Sequence, residues 1–123
     1  MKIITIIARV LLGLIFVVFG SNAFLHFIPM PPPKGLAGDF MKAMFVSHYF
    51  YLVVVLQIAG GALCLCGRFM PLALTLLGPV IVNILLFHIF LEPSGLLLAL
   101  VVSALALLLL WQHRQSFAGL LKP

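Results

Sequence analysis

Residues 71–91 read PLALTLLGPVIVNILLFHIFL, a stretch without Asp, Glu, Lys or Arg. At about 1.5 Å of rise per residue, a helix of this length spans the roughly 30 Å hydrocarbon core of a bilayer. The apolar residues run continuously instead of alternating, and this excludes the strands of a membrane β-barrel. The stretch therefore predicts a membrane-spanning α-helix.

Three other stretches are also long and mostly apolar. Hydrophobic residues make up 65% of the 123 positions and charged residues 7%, a composition that no soluble domain of this size accommodates in one core. The predicted fold class is therefore all-α: one membrane domain over residues 1–123, built as a bundle of four transmembrane helices. The predicted spans are residues 3–27, 49–66, 69–91 and 94–111.

The first span also has features of a secretory signal peptide. Lys2 precedes an apolar run, and residues 21–23 (SNA) have the small-x-small form of a cleavage site. The apolar run continues beyond this site to Phe27. We therefore predict an uncleaved helix.

Basic residues predict the orientation, because positive charge concentrates on the cytoplasmic side of membrane proteins. If the spans alternate in direction, five of the seven basic residues share one side, and the other side holds two basic residues with both acids. Both termini are therefore predicted to be cytoplasmic. The net charge of +5 follows from this topology and from attraction to anionic lipid, and it requires no nucleic acid. The first group is Lys2, Arg9, Arg68, Arg114 and Lys122, and the second is Lys34, Lys42, Asp39 and Glu92.

The first connection, residues 28–48, is the only long one. It opens with a proline-rich run that ends at Pro33, and Asp39 is then predicted to cap a short amphipathic helix through Ser47. The apolar residues of that helix predict that it lies on the outer membrane surface. Two roles stay open for it, a lid over the bundle and an interfacial anchor.

Six polar residues interrupt the spans, and the topology gathers them in the outer half of the bundle. Helix rise places Gln57 about 12 Å below the outer surface and Asn83 in the middle to outer half of its span. The others form two pairs one turn apart near the outer ends of spans one and three. The six residues are Asn22, His26, Gln57, Asn83, His88 and Glu92.

Each of these residues has a purely structural interpretation. Asn and Gln in membrane helices often hydrogen-bond between helices, at about 0.6–2 kcal/mol each. Convergence from three helices favours a ligand or proton-handling site instead, because each unsatisfied polar group in hydrocarbon is costly. The two hypotheses predict different structures. If their role is structural, Asn22, Gln57 and Asn83 hydrogen-bond to one another and leave no cavity. If they bind a ligand, several of them face a shared space under residues 35–48.

Helix geometry limits such a site. Asn83 and His88 lie about 140° apart around one helix, so one face does not present both ideally unless Pro79 redirects the helix. A metal site made by His26, His88 and Glu92 requires spans one and three to touch at that level. The spacing does not establish this contact, so we predict no metal.

Glycines predict close packing between helices, because small residues let membrane helix backbones approach. They also allow a homo-oligomer, and the sequence does not distinguish the two interfaces. The residues are Gly13, Gly20, Gly60, Gly61, Gly67 and Gly78.

Several motifs occur in order along almost the whole chain: LLGLIF at 11–16, FGxN at 19–22, QIAGG at 57–61, RxxP at 68–71 and PxxxNIxxFH at 79–88. In this order they resemble the DoxX family of small bacterial four-helix membrane proteins, and the resemblance implies the bacterial inner membrane as the location. One departure is Gln57, where the family pattern often has a glutamate. Hydrogen bonding is preserved at this position, whereas proton transfer is in doubt.

The DoxX family resembles DoxD, the membrane component of an archaeal thiosulfate:quinone oxidoreductase, and related proteins are linked to thiol redox and oxidative-stress complexes. The resemblance therefore implies a quinone-associated membrane subunit. The chain has no evident electron donor, so catalysis requires a redox partner protein. It also has no phosphate loop, serine nucleophile motif or Rossmann fingerprint, so soluble-type catalysis has no support.

The polar cluster suits quinone chemistry, because carboxamide groups donate hydrogen bonds to quinone carbonyls while apolar helix faces accommodate the tail. Histidines relay protons from the outer surface, with Glu92 orienting His88. Two other functions stay open: a non-enzymatic scaffold or assembly factor, and a bundle that binds lipid or a small solute. The predicted ligand-binding residues are Asn22, His26, Gln57, Asn83 and His88, and the predicted proton relay is His26, His88 and Glu92.

Overall fold

The computed structural model describes residues 2–25 and 34–121, and these residues form helices and turns with no strand. The α-helices are α1 (Lys2–Leu25), α2 (Gly35–Val46), α3 (Tyr49–Cys66), α4 (Met70–Phe90) and α5 (Leu96–Gln112). A 3-10 turn at Pro93–Gly95 precedes α5, and a 3-10 segment at Arg114–Leu121 follows it. The all-α prediction is confirmed for this part of the chain.

Four helices are long and apolar enough to cross a membrane: α1, α3, α4, and α5 with its preceding turn. Their bounds lie within two residues of the predicted spans, except that residues 26 and 27 of the first span fall outside the described ranges. The third span begins one residue late, because Phe69 has a left-handed backbone (φ 53°) that does not continue into the helix.

Large apolar side chains cover the outside of these helices. Leu97 is 77% exposed, Phe90 74% and Ile3 72%. A soluble protein rarely exposes apolar surface on this scale, whereas hydrocarbon solvates it without cost. The outer surface of the bundle is therefore suited to lipid.

The four long helices form a ring in which α1 and α4 occupy opposite corners and each packs against both α3 and α5. Neighbouring helices are antiparallel. Gly13 of α1 lies beside Gly61 of α3. The later residue Gly20 of α1 lies beside Ile58, which precedes Gly61 in α3, so the two chains run in opposite directions. The short α3–α4 and α4–α5 connections impose the same arrangement on the other pairs.

The ring therefore has two chemically different ends. At one end, the Arg9 guanidinium packs against Gly67, whose φ of 70° turns the chain from α3 into α4. We call this the arginine end, and it also holds Arg68 and Arg114. We call the opposite end, which holds α2 and the α4–α5 turn, the cavity end.

The buried core lies mainly between the middle of the bundle and the arginine end. All four long helices contribute to it. The buried residues are Ala8, Leu12 and Phe16 of α1, Cys64 of α3, Met70, Ala73, Leu74, Leu77, Val80 and Ile81 of α4, and Val102 and Leu109 of α5.

Glycines bring the backbones together in this core. A Cβ added at Gly13 would lie 2.7 Å from the carbonyl oxygen of Gly61, and one added at Gly60 would lie 2.6 Å from Cγ of Leu77. Close packing was predicted at these positions and is confirmed. The same prediction for Gly78 is wrong, because a Cβ there would meet no atom within 4 Å.

Helix α2 occupies the connection between α1 and α3, but it does not begin at Asp39. Lys34 is extended, Gly35 follows with φ 66°, and the helix starts there without a side-chain cap. Asp39 lies inside the helix, so its predicted capping role is wrong. The glycine provides the backbone conformation that starts the helix one turn earlier.

Helix α2 packs against α3 and reaches α4 through aromatic side chains. Ala37 is fully buried. The ring centroids of Phe45 and Phe50 are 4.8 Å apart, and those of Phe40 and Phe87 are 5.6 Å apart. These contacts place α2 over the cavity end of α3 and α4.

Candidate functional site

A cavity of about 340 Å³ lies at the cavity end, between α2, α3 and α4. This volume falls within the roughly 300–1,000 Å³ range of small-molecule sites. Its wall is mostly apolar and aromatic. Representative lining residues are Phe40 and Met44 of α2, Phe50 and Leu56 of α3, and Ile84 and Phe87 of α4.

Three of the predicted polar residues line this cavity: Gln57 of α3, and Asn83 and His88 of α4. Within the described residues, neither carboxamide side chain forms a hydrogen bond. Each carboxamide offers both an N–H donor and a carbonyl acceptor. The wall therefore combines a large apolar surface with a few groups able to fix the orientation of a ligand.

Gly20 of α1 lies beside Gln57 and makes room for the neighbouring Ile58 of α3. A Cβ added at Gly20 would lie 3.6 Å from Oε1 of Gln57 and 2.8 Å from Cγ1 of Ile58. Gln57 is half-buried at this contact, whereas Asn83 is exposed. The two carboxamides thus differ in how tightly the protein holds them.

The imidazole of His88 is held from its Nδ1 side. Nδ1 lies 2.9 Å from the main-chain carbonyl oxygen of Glu92. A carbonyl oxygen only accepts, so Nδ1–H must be the donor. Glu92 therefore contacts His88 one turn later, as predicted, but through its main chain instead of its carboxylate. This follows because α4 ends at Phe90 and the chain turns back beneath the ring.

Two neighbours restrict the same ring further. The ring of Phe87 lies edge-on to it, with centroids 5.2 Å apart. A Cβ added at Gly95 would lie 2.7 Å from Nδ1 of His88. Glycine at position 95 is therefore what allows the α4–α5 turn to approach the imidazole. Sequence reasoning missed this role, because a glycine after Pro93-Ser94 has the ordinary signature of a turn.

The cavity extends along α4 from Pro79 to His88. Both Asn83 and His88 line it despite their angular separation around α4, and α2 and α3 provide the rest of the wall. Pro79 contributes directly to the wall. It has no N–H, so the carbonyl oxygen of Thr75 loses its usual helical donor beside the proline ring.

Two further predicted site residues, Asn22 and Glu92, are not among the residues that line this cavity. Asn22 is buried, with 8% of its surface exposed, and it is not among the lining residues. His26 lies outside the described residues, and with it one member of the predicted relay His26, His88 and Glu92. Among residues 2–25 and 34–121, no group of three or more His, Cys, Asp and Glu side chains could hold a metal ion.

Comparisons with known proteins returned no match to a family model, a curated protein or a solved structure. The resemblance to the DoxX family therefore stays a prediction from the sequence. The case for a function depends on the cavity and on the residues that line it.

Proposed function

We propose that this chain is a multi-pass protein of the bacterial inner membrane that binds a membrane-soluble small molecule between α2, α3 and α4, with a quinone as the leading ligand. The observation that carries the proposal is the presence of Gln57, Asn83 and His88 in one mostly apolar cavity. Polar groups in hydrocarbon are costly, and their convergence on a shared space is the arrangement expected of a ligand site.

The chemistry of the wall suits a quinone head group. Its oxygens accept hydrogen bonds from the carboxamides of Gln57 and Asn83. Its ring packs among aromatic side chains such as Phe50 and Phe87, and its tail extends along the lipid-facing helices. As the resemblance to the DoxX family implies, electrons come from a redox partner protein. The chain is therefore a quinone-associated subunit.

The proposed orientation places the arginine end in the cytoplasm. Arg9, Arg68 and Arg114 lie at this end, while Asp39 and Glu92 lie at the other. The exposed thiol of Cys66 provides a test, because Cys64 is buried. In intact cells a membrane-impermeant thiol reagent should label an Asp39→Cys variant in a Cys66→Ser background and leave the native Cys66 unlabelled. The reverse pattern would invert the topology.

Ligand binding is tested first by organic extraction of the purified protein followed by mass spectrometry. A quinone should co-purify, and an added short-tail quinone at about 100 times its Kd should stabilise the wild type by about 2.7 kcal/mol. Asn83→Leu should lose most of this stabilisation. The control is Leu97→Ala, which changes a lipid-facing side chain and should respond as the wild type does. The proposal fails if no quinone co-purifies and added quinone changes neither protein.

A scaffold or assembly role is the second candidate, and the exposure of Asn83 favours it. A carboxamide on a lipid-facing surface is suited to hydrogen-bond a polar residue on a partner's transmembrane helix, or on a second copy of this chain. In that case Asn83→Leu should abolish co-purification of the partner, or should change the oligomeric state measured in detergent. Added quinone would then have no effect on stability.

A further inference from the structure

The arginine end carries positive charge that no Asp or Glu side chain balances. Arg9, Arg68 and Arg114 lie at this end, whereas Asp39 and Glu92, the two acids of the chain, lie at the cavity end. We propose that the Arg9 guanidinium binds the phosphate group of an anionic phospholipid beside the α3–α4 turn. This site lies at the opposite end of the bundle from the cavity and is independent of the ligand proposed there.

The side chain of Arg9 crosses from α1 to the α3–α4 turn and packs against Gly67. A Cβ added at Gly67 would lie 2.7 Å from Cζ of Arg9 and 3.2 Å from its Nη2. Gly67 has a φ of 70°, a backbone conformation that residues with a Cβ rarely adopt. One glycine therefore both turns the chain and leaves the space in which the guanidinium lies.

Within the described residues, the guanidinium of Arg9 forms no hydrogen bond or ion pair. Its Nε is buried and unpartnered. Arg9 as a whole is half-buried, and its Nη atoms, unlike Nε, are not enclosed. A guanidinium offers five N–H donors and keeps its charge in proteins. A partly buried charge without a counter-charge is costly, and this favours an anion from outside the chain.

The helix ends at this turn do not supply the missing negative charge. α3 ends at Cys66, with roughly half a negative charge at its C-terminus, and α4 begins at Met70, with roughly half a positive charge at its N-terminus. These opposite partial charges lie close together and largely cancel. The first turn of α4 contains no acidic residue. The full charges of Arg9 and Arg68 therefore remain to attract an anion.

Exposed aromatic side chains place this end at the level of lipid head groups. Trp111 is 62% exposed, and Cζ of Arg114 lies 4.2 Å from the centroid of one of its rings. Phe69 is 63% exposed, and Cζ of Arg68 lies 5.6 Å from its ring centroid. Tryptophan is enriched at membrane–water interfaces, where phospholipids present their phosphate groups. A lipid phosphate is therefore an anion within reach of this end.

The chemistry of the two groups is complementary. The planar guanidinium can donate two parallel hydrogen bonds to a pair of phosphate oxygens. Basic pockets between transmembrane helices are known to bind phospholipid head groups in this way. A free phosphate ion offers the same oxygens, but a phospholipid adds acyl chains. These can pack on exposed apolar residues that follow the site in each helix, such as Leu11 of α1 and Leu72 of α4.

The experiment titrates the purified full chain in detergent with phosphatidylglycerol or with phosphatidylcholine of the same acyl chains, and native mass spectrometry measures the bound lipid. We expect phosphatidylglycerol to bind the wild type at least about 10-fold tighter, because each basic residue near the head group contributes about fivefold. Arg9→Met keeps an unbranched side chain and should weaken phosphatidylglycerol binding about fivefold. Lys42→Met is the matched control, because it removes one positive charge from the cavity end, and it should bind as the wild type does.

A second variant covers the case in which Arg9→Met does not fold. Arg9→Lys keeps the positive charge but replaces the two-donor fork with a single ammonium, so phosphatidylglycerol should bind about threefold more weakly than to the wild type. Equal affinity of the wild type for the two lipids would overturn the proposal. Wild-type affinity for phosphatidylglycerol in the Arg9 variants would overturn the assignment to Arg9.

A separate titration distinguishes a lipid from a free ion. Inorganic phosphate at about 10 mM is added to the complex of the wild type with phosphatidylglycerol. We expect the lipid to stay bound beyond the loss that an equal ionic strength of sodium chloride causes, because its acyl chains add apolar contact. Displacement by phosphate well above that of the chloride control would assign the site to a free phosphate and overturn the assignment to a lipid.

Discussion

The arginine end and the cavity end of this bundle are built from the same apolar helices, yet they pack differently. Towards the arginine end, Gly13 and Gly61 bring the backbones of α1 and α3 into contact, and Leu77 fills the space beside Gly60. At the cavity end, α2, α3 and α4 leave about 340 Å³ open between them, with two carboxamides and an imidazole in the wall.

The difference shows how a membrane bundle separates stability from binding. Lipid tails solvate leucine as well as a protein core does, so helices associate through close van der Waals contact where small residues permit it. The arginine end uses this mechanism. At the cavity end this mechanism still joins α1 to α3 through Gly20 and Ile58. Around the cavity itself, the aromatic contacts of α2 take its place.

The largest expected effect comes from substituting a glycine that lies against a neighbouring backbone. Gly13→Leu forces a side chain against the backbone of Gly61 and should cost about 3 kcal/mol of unfolding free energy, or prevent folding. The measurement is reversible denaturation in mixed micelles. Gly78→Leu is the matched control, because its Cβ meets no atom within 4 Å, and it should change stability by less than about 0.5 kcal/mol. Equal losses of unfolding free energy in the two variants would contradict the proposed difference in packing.

A cavity created in the packed half should cost somewhat less. Leu77 is fully buried, and Leu77→Ala removes contacts that lipid cannot replace, so we expect a loss of about 2 kcal/mol in the same assay. The matched control is Leu97, which is 77% exposed, and Leu97→Ala should lose under about 0.5 kcal/mol of unfolding free energy. A Leu77→Ala protein as stable as the wild type would mean that the core does not stabilise the bundle.

Removing a polar group from the open half should have almost no effect on the ligand-free protein. Asn83 is exposed and forms no hydrogen bond within the described residues, so Asn83→Leu should leave unfolding free energy within about 0.3 kcal/mol of the wild type. Structural bonding between helices predicts a loss of about 0.6–2 kcal/mol instead. Denaturation of extensively delipidated protein, without added quinone, decides between the two.

The last expected effect is local and concerns α2. Phe40→Ala removes the ring contact with Phe87, worth about 0.5–1.5 kcal/mol beyond its buried area. Hydrogen exchange should become faster in α2 and stay unchanged in α1, because the packed half does not depend on this contact. Uniformly faster exchange would mean that α2 supports the whole bundle, and an unchanged rate would mean that Phe40 does not hold α2 over the cavity.

Much of the fold was predictable because each span contains its own signal. The apolar run of residues 49–66, interrupted by Gln57, predicts α3 without reference to any other part of the chain. The start of α2 was not predicted, since Asp39 is a good cap by residue type while Gly35 acts through a backbone conformation. The site was predicted in part: Gln57, Asn83 and His88 line one cavity, whereas Asn22 does not.

The sequence by itself determined that this chain is helical and that four helices suit a membrane, because helix length and apolar composition are local properties. The tertiary structure alone decided which of the polar residues share a space. It placed the main-chain carbonyl of Glu92 and the bare Cα of Gly95 against His88, contacts that no side-chain pattern encodes. The physical reason is that a cavity is a property of how helices cross, which depends on small residues and turns distributed over the whole chain.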